Sequence, residues 1–199
     1  VRQFVRQTFI HGVPYEQATK YSPDVVPTLV EMLKDRAEEP YWSNILVVLG
    51  IIGEKRGIDE MILFVERDRG KISAAHYRAK TSAIMSLGYA LNKTGSRKEL
   101  DYLTSGIDPK VWSTRAGSNL APYQKTTDER DHDFAKYAIM GLALSGHPDA
   151  ARALRSLQQP IENEAQRKFR DQVSDLVAEA LKEHQKVASR GLVDYYRSK

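Results

Sequence analysis

The sequence contains no cysteine. That absence removes thiolate nucleophiles, zinc–thiolate sites, iron–sulfur ligation and any disulfide framework. No run of about 18 apolar residues occurs, so no segment reads as a membrane-spanning helix. No stretch sustains the period-two alternation of a half-buried strand, and no sheet is expected. Catalytic signatures are equally sparse. The five histidines, His11, His76, His132, His147 and His184, include no i, i+4 pair. Gly50, Gly53 and Gly57 do not make a phosphate loop, and no GxSxG nucleophile elbow exists. The best metal candidate is the run Asp128, Glu129, Asp131, His132 and Asp133. Hard cations favour such oxygen-rich sets, yet the run matches no calcium-loop pattern and sits where a helix begins, where acidic side chains suit the helix dipole. The sequence therefore implies no metal, no cofactor and no catalytic set, and the chain reads as a non-enzyme.

What is present is a globular composition. Of 199 residues, 41% are hydrophobic and 28% charged, which excludes collagen-like and disordered classes. The length suits one domain, or one short repeat array, burying roughly 70% of its unfolded surface. Thirty basic against 26 acidic residues leave a formal charge of +4. Basic groups gather at Arg67, Arg69 and Lys71, at Arg78 and Lys80, and at Lys93, Arg97 and Lys98. The outer two clusters fall at helix ends and turns, where cations offset carbonyl dipoles. A phosphate-binding track needs basic groups aligned along one face, and only Arg78 and Lys80 lie within a helix. Val1 stands where an initiator Met would, which implies that an upstream piece was removed; no secretory leader remains. Cytoplasmic and exported (periplasmic) locations fit equally.

The dominant signal is helical. Val25, Val26, Leu29, Val30 and Leu33 form one stripe over residues 24–35, and Ser22-Pro23-Asp24 suits a helix start. Toward the C-terminus, Ile161, Ala165, Phe169, Val173, Leu176, Val177, Ala180 and Leu181 advance by threes and fours with charged residues between them. The chain also resembles itself. At an offset of 38, the segment 46–65 (LVVLGIIGEKRGIDEMILFV) aligns with 84–103, pairing Gly50 with Gly88 and Gly57 with Gly95. A third copy, 137–157, pairs Gly141 with Gly88 at an offset of 53. Each copy is a helix end, a tight turn and a helix start. Such pairs cannot bury one apolar face alone and must stack.

These segments resemble HEAT repeats, the two-helix units of α-solenoids, over residues 22–185, with LGIIGEKRGIDEMILFV similar to the bacterial form. The resemblance implies an all-α, right-handed α–α superhelix of about four helix pairs: 24–35 with 41–53, 57–67 with 73–93, 96–104 with 132–145, and 148–158 with 161–185. Residues 1–21 would form an N-terminal helical cap and 188–199 a C-terminal tail in one domain spanning 1–199. Family members are usually adaptors and scaffolds; a few bind DNA, excise damaged bases or attach pigments to proteins.

In such solenoids the second helix of each pair lines the concave side. That places Arg78, Ser82, Ser86, Tyr89 and Lys93 inward on the middle repeat, Asn44, Val48 and Ile51 on the first, and Ala135, Ile139 and Leu142 on the third. The third copy arrives late because 15 extra residues (53 − 38) lie within 106–131, read as an irregular insertion loop. Long loops inside repeats are often functional. This one carries Trp112, Arg115, Leu120, Tyr123 and Lys125, the Trp, Tyr and Arg among them being types that dominate interface hot spots. The alternative is that Trp112, Leu120 and Tyr123 fold back as an apolar plug. The expected binding residues are Arg78, Tyr89, Trp112, Arg115 and Tyr123, and the expected partner is a protein or peptide. The rival is a DNA-binding solenoid using Arg78, Lys80 and Lys93. An enzyme with a site beneath the insertion has no residue support.

Overall fold

Four helix pairs follow one another along the chain in the computed structural model, which describes residues 1–67, 70–116, 120–124 and 126–198. They are α3 (Val26–Lys34) with α4 (Trp42–Ile52), α5 (Lys55–Glu66) with α6 (Ala74–Thr94), α7 (Arg97–Gly106) with α9 (Thr127–Ser145), and α10 (Pro148–Ser156) with α11 (Glu164–Arg197). Two single-turn helices precede them, α1 (Arg2–Val5) and α2 (Tyr15–Ala18), and α8 (Pro109–Arg115) intervenes before α9. Among the described residues there is no strand, and none of the helices is long and apolar enough to cross a membrane. The all-helical, repeat-like expectation holds.

Local chemistry sets the boundaries. Glu54 accepts from the Arg56 and Gly57 amides to start α5, Ser73 accepts from His76 to start α6, and Ser96 accepts from Lys98 to start α7. Thr126 and Glu129 form a reciprocal capping box at α9. Gly53, Gly95 and Gly146 end α4, α6 and α9 in the left-handed region, where a side chain is strained. The turn glycine equivalent to Gly95 is therefore Gly53. Gly57, aligned with Gly95 on sequence, lies inside the first turn of α5.

The second helices form one layer: α4 packs on α6, α6 on α9 and α9 on α11. The glycines shared by the copies mark where these helices touch. A Cβ on Gly88 would stand 2.8 Å from the Gly141 Cα, and one on Gly50 would stand 2.8 Å from the Ser86 Cβ. Such close approach excludes any side chain. The first helices make the other layer, with α3 on α5 and α7 on α10. Between the layers lies one apolar cluster including Leu29, Leu49, Phe64, Leu87, Leu103 and Leu142.

Three boundaries differ from expectation. The insertion is not irregular throughout: α8 occupies it, started by Asp108 accepting from the Lys110 amide and by Pro109 in the first turn. α9 begins at Thr127 rather than 132. The tail is helical to Arg197, with a break only at Gly191 (φ 75°). Arg69 and Lys125, noted above as basic groups, lie outside the described residues, as does the side chain of Ala165.

Candidate functional site

The face of α4, α6 and α9 expected to line the concave side is largely covered by the chain itself. Val48, Ile51, Ser86, Ala135, Ile139 and Leu142 are all buried. Part of the cover is the N-terminal segment. Asn44 Nδ2 donates to the carbonyls of Val5 (2.9 Å) and Gln7 (3.0 Å), so one amide holds the end of α1 and the residues just after it against α4. Farther along, the Tyr15 ring stacks on Tyr196 at 5.0 Å between centroids and lies 5.7 Å from Tyr89. The Tyr89 and Tyr196 hydroxyls hydrogen-bond each other, and Arg197 pairs with Glu16. Burial, with Tyr196 alongside, pushes the Tyr15 phenol up to about 12, and burial raises Tyr89 as well. Tyr89, expected to face a partner, is only 7% exposed because the two ends of the chain meet over it.

Of the three basic residues expected on a DNA-binding face, Arg78, Lys80 and Lys93, the central one is committed elsewhere, as are several cations of the outer clusters. Lys80 is fully buried, and its ammonium donates to the carbonyls of Phe64 (3.2 Å), Val65 (2.7 Å) and Arg67 (2.5 Å) at the end of α5. It satisfies acceptors that a helix C-terminus leaves unpaired. Arg67 bonds Glu60 and the Leu33 carbonyl, Lys98 bonds Asp59, and Arg97 bonds Asp101. Arg78 and Lys93 remain exposed, but they lie four turns apart on α6 with Lys80 turned inward between them.

The insertion is anchored by its aromatic residue. Trp112 is fully buried; its indole N–H donates to the Gly106 carbonyl at 2.8 Å and its ring meets Phe134 edge-on at 5.4 Å. Arg115 lies 4.3 Å above the Tyr102 ring and donates to the Tyr102 carbonyl (2.9 Å) and to Ser105 (2.7 Å). Trp112 and Arg115, expected as contact residues, thus hold α8 against α7 and α9. Residues 120–124 return across α6, where Gln124 Nε2 donates to Tyr77 (2.5 Å) and to Asp133 (2.9 Å). Tyr123 projects from this latch, 59% exposed, with its ring edge-on to Tyr77 at 5.8 Å. Asp133, Tyr137 and Arg78 surround it.

The acidic run disperses around the α9 helix. Glu129 caps, Asp133 joins the Gln124 latch, and Asp131 is buried with Arg130. Ser113 of α8 donates to the other Asp131 oxygen at 2.5 Å. Among the described residues no cluster of His, Cys, Asp or Glu is arranged to hold a metal ion. On the far side of α8 opens a cleft of about 370 Å³. Its floor is Ile107, Leu157 and Phe169, with the His132 ring 4.9 Å from Phe169. Its rim carries Lys110, Asp128, Gln166 and Arg170. Neither the Gln124 latch nor this cleft was visible in sequence patterns. A glutamine in a loop carries no periodic signal, and Leu157 and Phe169 read simply as core.

Comparison of the chain with family models, with curated proteins and with solved structures finds no match to any of them.

Proposed function

We propose that this chain is a non-enzymatic scaffold of the HEAT-like α-solenoid kind, its four pairs winding into a right-handed superhelix, and that it binds a protein or peptide at the insertion. The stacking of each second helix on the next supports the solenoid reading, as does the recurrence of glycine at the α4–α6 and α6–α9 crossings. The binding surface is the open part of the second-helix layer beside residues 120–124. Here the observation that carries the reading is Tyr123: a large aromatic side chain, more than half exposed, mounted on a hydrogen-bonded latch beside exposed Arg78 and half-buried Tyr137. Exposed Tyr and Arg on a rigid support are the residue types that become interface anchors, because little conformational freedom is lost on contact. The burial of Lys80 argues against an extended nucleic-acid track.

The test replaces Tyr123 with a photoreactive aromatic residue in the full chain and irradiates it in nuclease-treated lysate. Leu63, 53% exposed on α5, serves as the control position. A discrete protein adduct from position 123, absent from position 63 and lost on Arg78→Ala, is the expected result. Equal labelling from both positions would overturn the reading. So would steeply salt-dependent duplex binding that depends on Arg78.

A further inference from the structure

We propose that the cleft between α8, α9 and α11 binds a small zwitterion with an apolar body, of the size of a single amino acid. The proposal does not rest on the scaffold reading, since the cleft lies away from the Tyr123 latch.

The insertion creates the cleft. Ile107 to Ser113 supply one wall, the first turns of α9 a second, and the end of α10 with the start of α11 the third. Without the 15 extra residues there is no first wall. That wall is also pinned in place. Asp131, only 3% exposed, receives the Ser113 hydroxyl at 2.5 Å on one oxygen and the Arg130 guanidinium on the other. A buried carboxylate satisfied on both oxygens holds α8 against α9. At about 370 Å³ it falls at the small end of the roughly 300–1,000 Å³ typical of ligand sites.

Size and lining together specify the ligand. The floor of Ile107, Leu157 and Phe169 takes an apolar group, and the Phe169 and His132 rings, tilted 44° to each other, offer an aromatic or branched one two π-faces. The rim carries charges of both signs, with the Asp108 carboxylate held at the start of α8 by the Lys110 amide. Lys110 on α8 and Asp128 on α9 make no ion pair or side-chain hydrogen bond with any described residue. Arg170, the other cation of the rim, donates one guanidinium N–H to the Gln159 carbonyl at 2.6 Å, bracing the α10–α11 connection. A ligand with only a carboxylate would engage Lys110 and face Asp128 unfavourably, and a simple amine would do the reverse. A zwitterion answers both, and the apolar floor answers its side chain.

The test titrates the full chain by two-dimensional NMR with L-phenylalanine, N-acetyl-L-phenylalanine and L-phenylalaninamide. The expected result is saturable shifts for residues of the cleft with L-phenylalanine, at a Kd below about 1 mM. Each singly charged analogue should bind about tenfold more weakly. Lys110→Met should abolish the preference over the amide, and Asp128→Asn the preference over the acetyl compound. Both positions are exposed, so the variants keep the fold, and matched loss of one preference each is a pattern that a structural role would not produce. Equal binding of N-acetyl-L-phenylalanine would point to a peptide C-terminus, and equal binding of the amide to an N-terminus; either overturns the zwitterion. Absence of saturable shifts for all three probes at 10-fold the expected ~1 mM Kd overturns the site altogether.

Discussion

Replacing Lys80 with Met removes the ammonium that closes α5 while keeping nearly the same side-chain length. Three carbonyl oxygens, those of Phe64, Val65 and Arg67, then lose a charged donor at 3.2, 2.7 and 2.5 Å. Bonds to charged groups contribute about 1.5–3 kcal/mol each, but the substitution also relieves the ammonium of a desolvation cost of several kcal/mol. The end of α5 is moreover close enough to the surface for water to reach some of the freed carbonyls, since exposed Gly70 and Lys71 follow it. The net expectation is a loss of about 3 kcal/mol. For a chain of this size that corresponds to a fall in Tm of roughly 6–12 °C, at about 2–4 °C per kcal/mol. Urea denaturation followed by circular dichroism measures it, the midpoint falling while the slope stays constant. A loss below about 1 kcal/mol would refute the capping role.

Other expectations follow from the same contacts. Gly88→Ala forces a methyl into the Gly141 backbone and should cost about 3 kcal/mol or more; a loss under about 1 kcal/mol would mean that the helices can separate freely. Trp112→Ala should destabilise by about 3–5 kcal/mol, whereas Tyr123→Ala should stay within about 0.5 kcal/mol and reduce only partner capture, a contrast that urea titration of both variants checks. Burial lowers the His184 pKa, with the His147 carbonyl opposing. The folded state thus favours the neutral ring, so the His184 contribution is complete above about pH 6.5 and is lost as pH falls through the folded value. Urea midpoints at about pH 7.5 and 5.5 should differ more for the wild-type chain than for His184→Gln. Asn44→Ala releases the Val5 and Gln7 carbonyls, and limited trypsin digestion after Arg6 should accelerate without loss of the core helices.

The four helix pairs were legible because each buries one stripe, and a stripe at 3.6-residue spacing shows in sequence whatever it packs against. The repeated glycines were legible too, although their cause, backbone contact between successive second helices, is a tertiary fact. α8 escaped because seven residues are too few to display a period, yet Asp108-Pro109 is a start signal of the same kind as Ser22-Pro23. Lys80 read as a cation for the rival DNA-binding face because nothing local to it reveals that the end of α5 points at its position. Tyr89 was expected to face a partner, and its neighbours are Tyr15 and Tyr196 of the same chain. What covers it begins 74 residues earlier, at Tyr15 (89 − 15), and such a pairing leaves no local trace. The cleft is hidden for the same reason, since its three walls come from separate helices.

The meeting of the two chain ends over Tyr89 changes how the repeats share stability. A stack whose units touch only their neighbours frays from its ends, each terminal pair opening at a cost set by one interface. Here the first segment and the last helix are bonded to each other through Tyr15, Tyr196, Glu16 and Arg197, and both lie on the middle of the stack. Neither end can open without disturbing the other and uncovering the centre. The contact closes a linear series of units into a circuit, so the repeats should unfold together rather than in sequence, and the outermost helices should be protected from hydrogen exchange nearly as long as the inner ones.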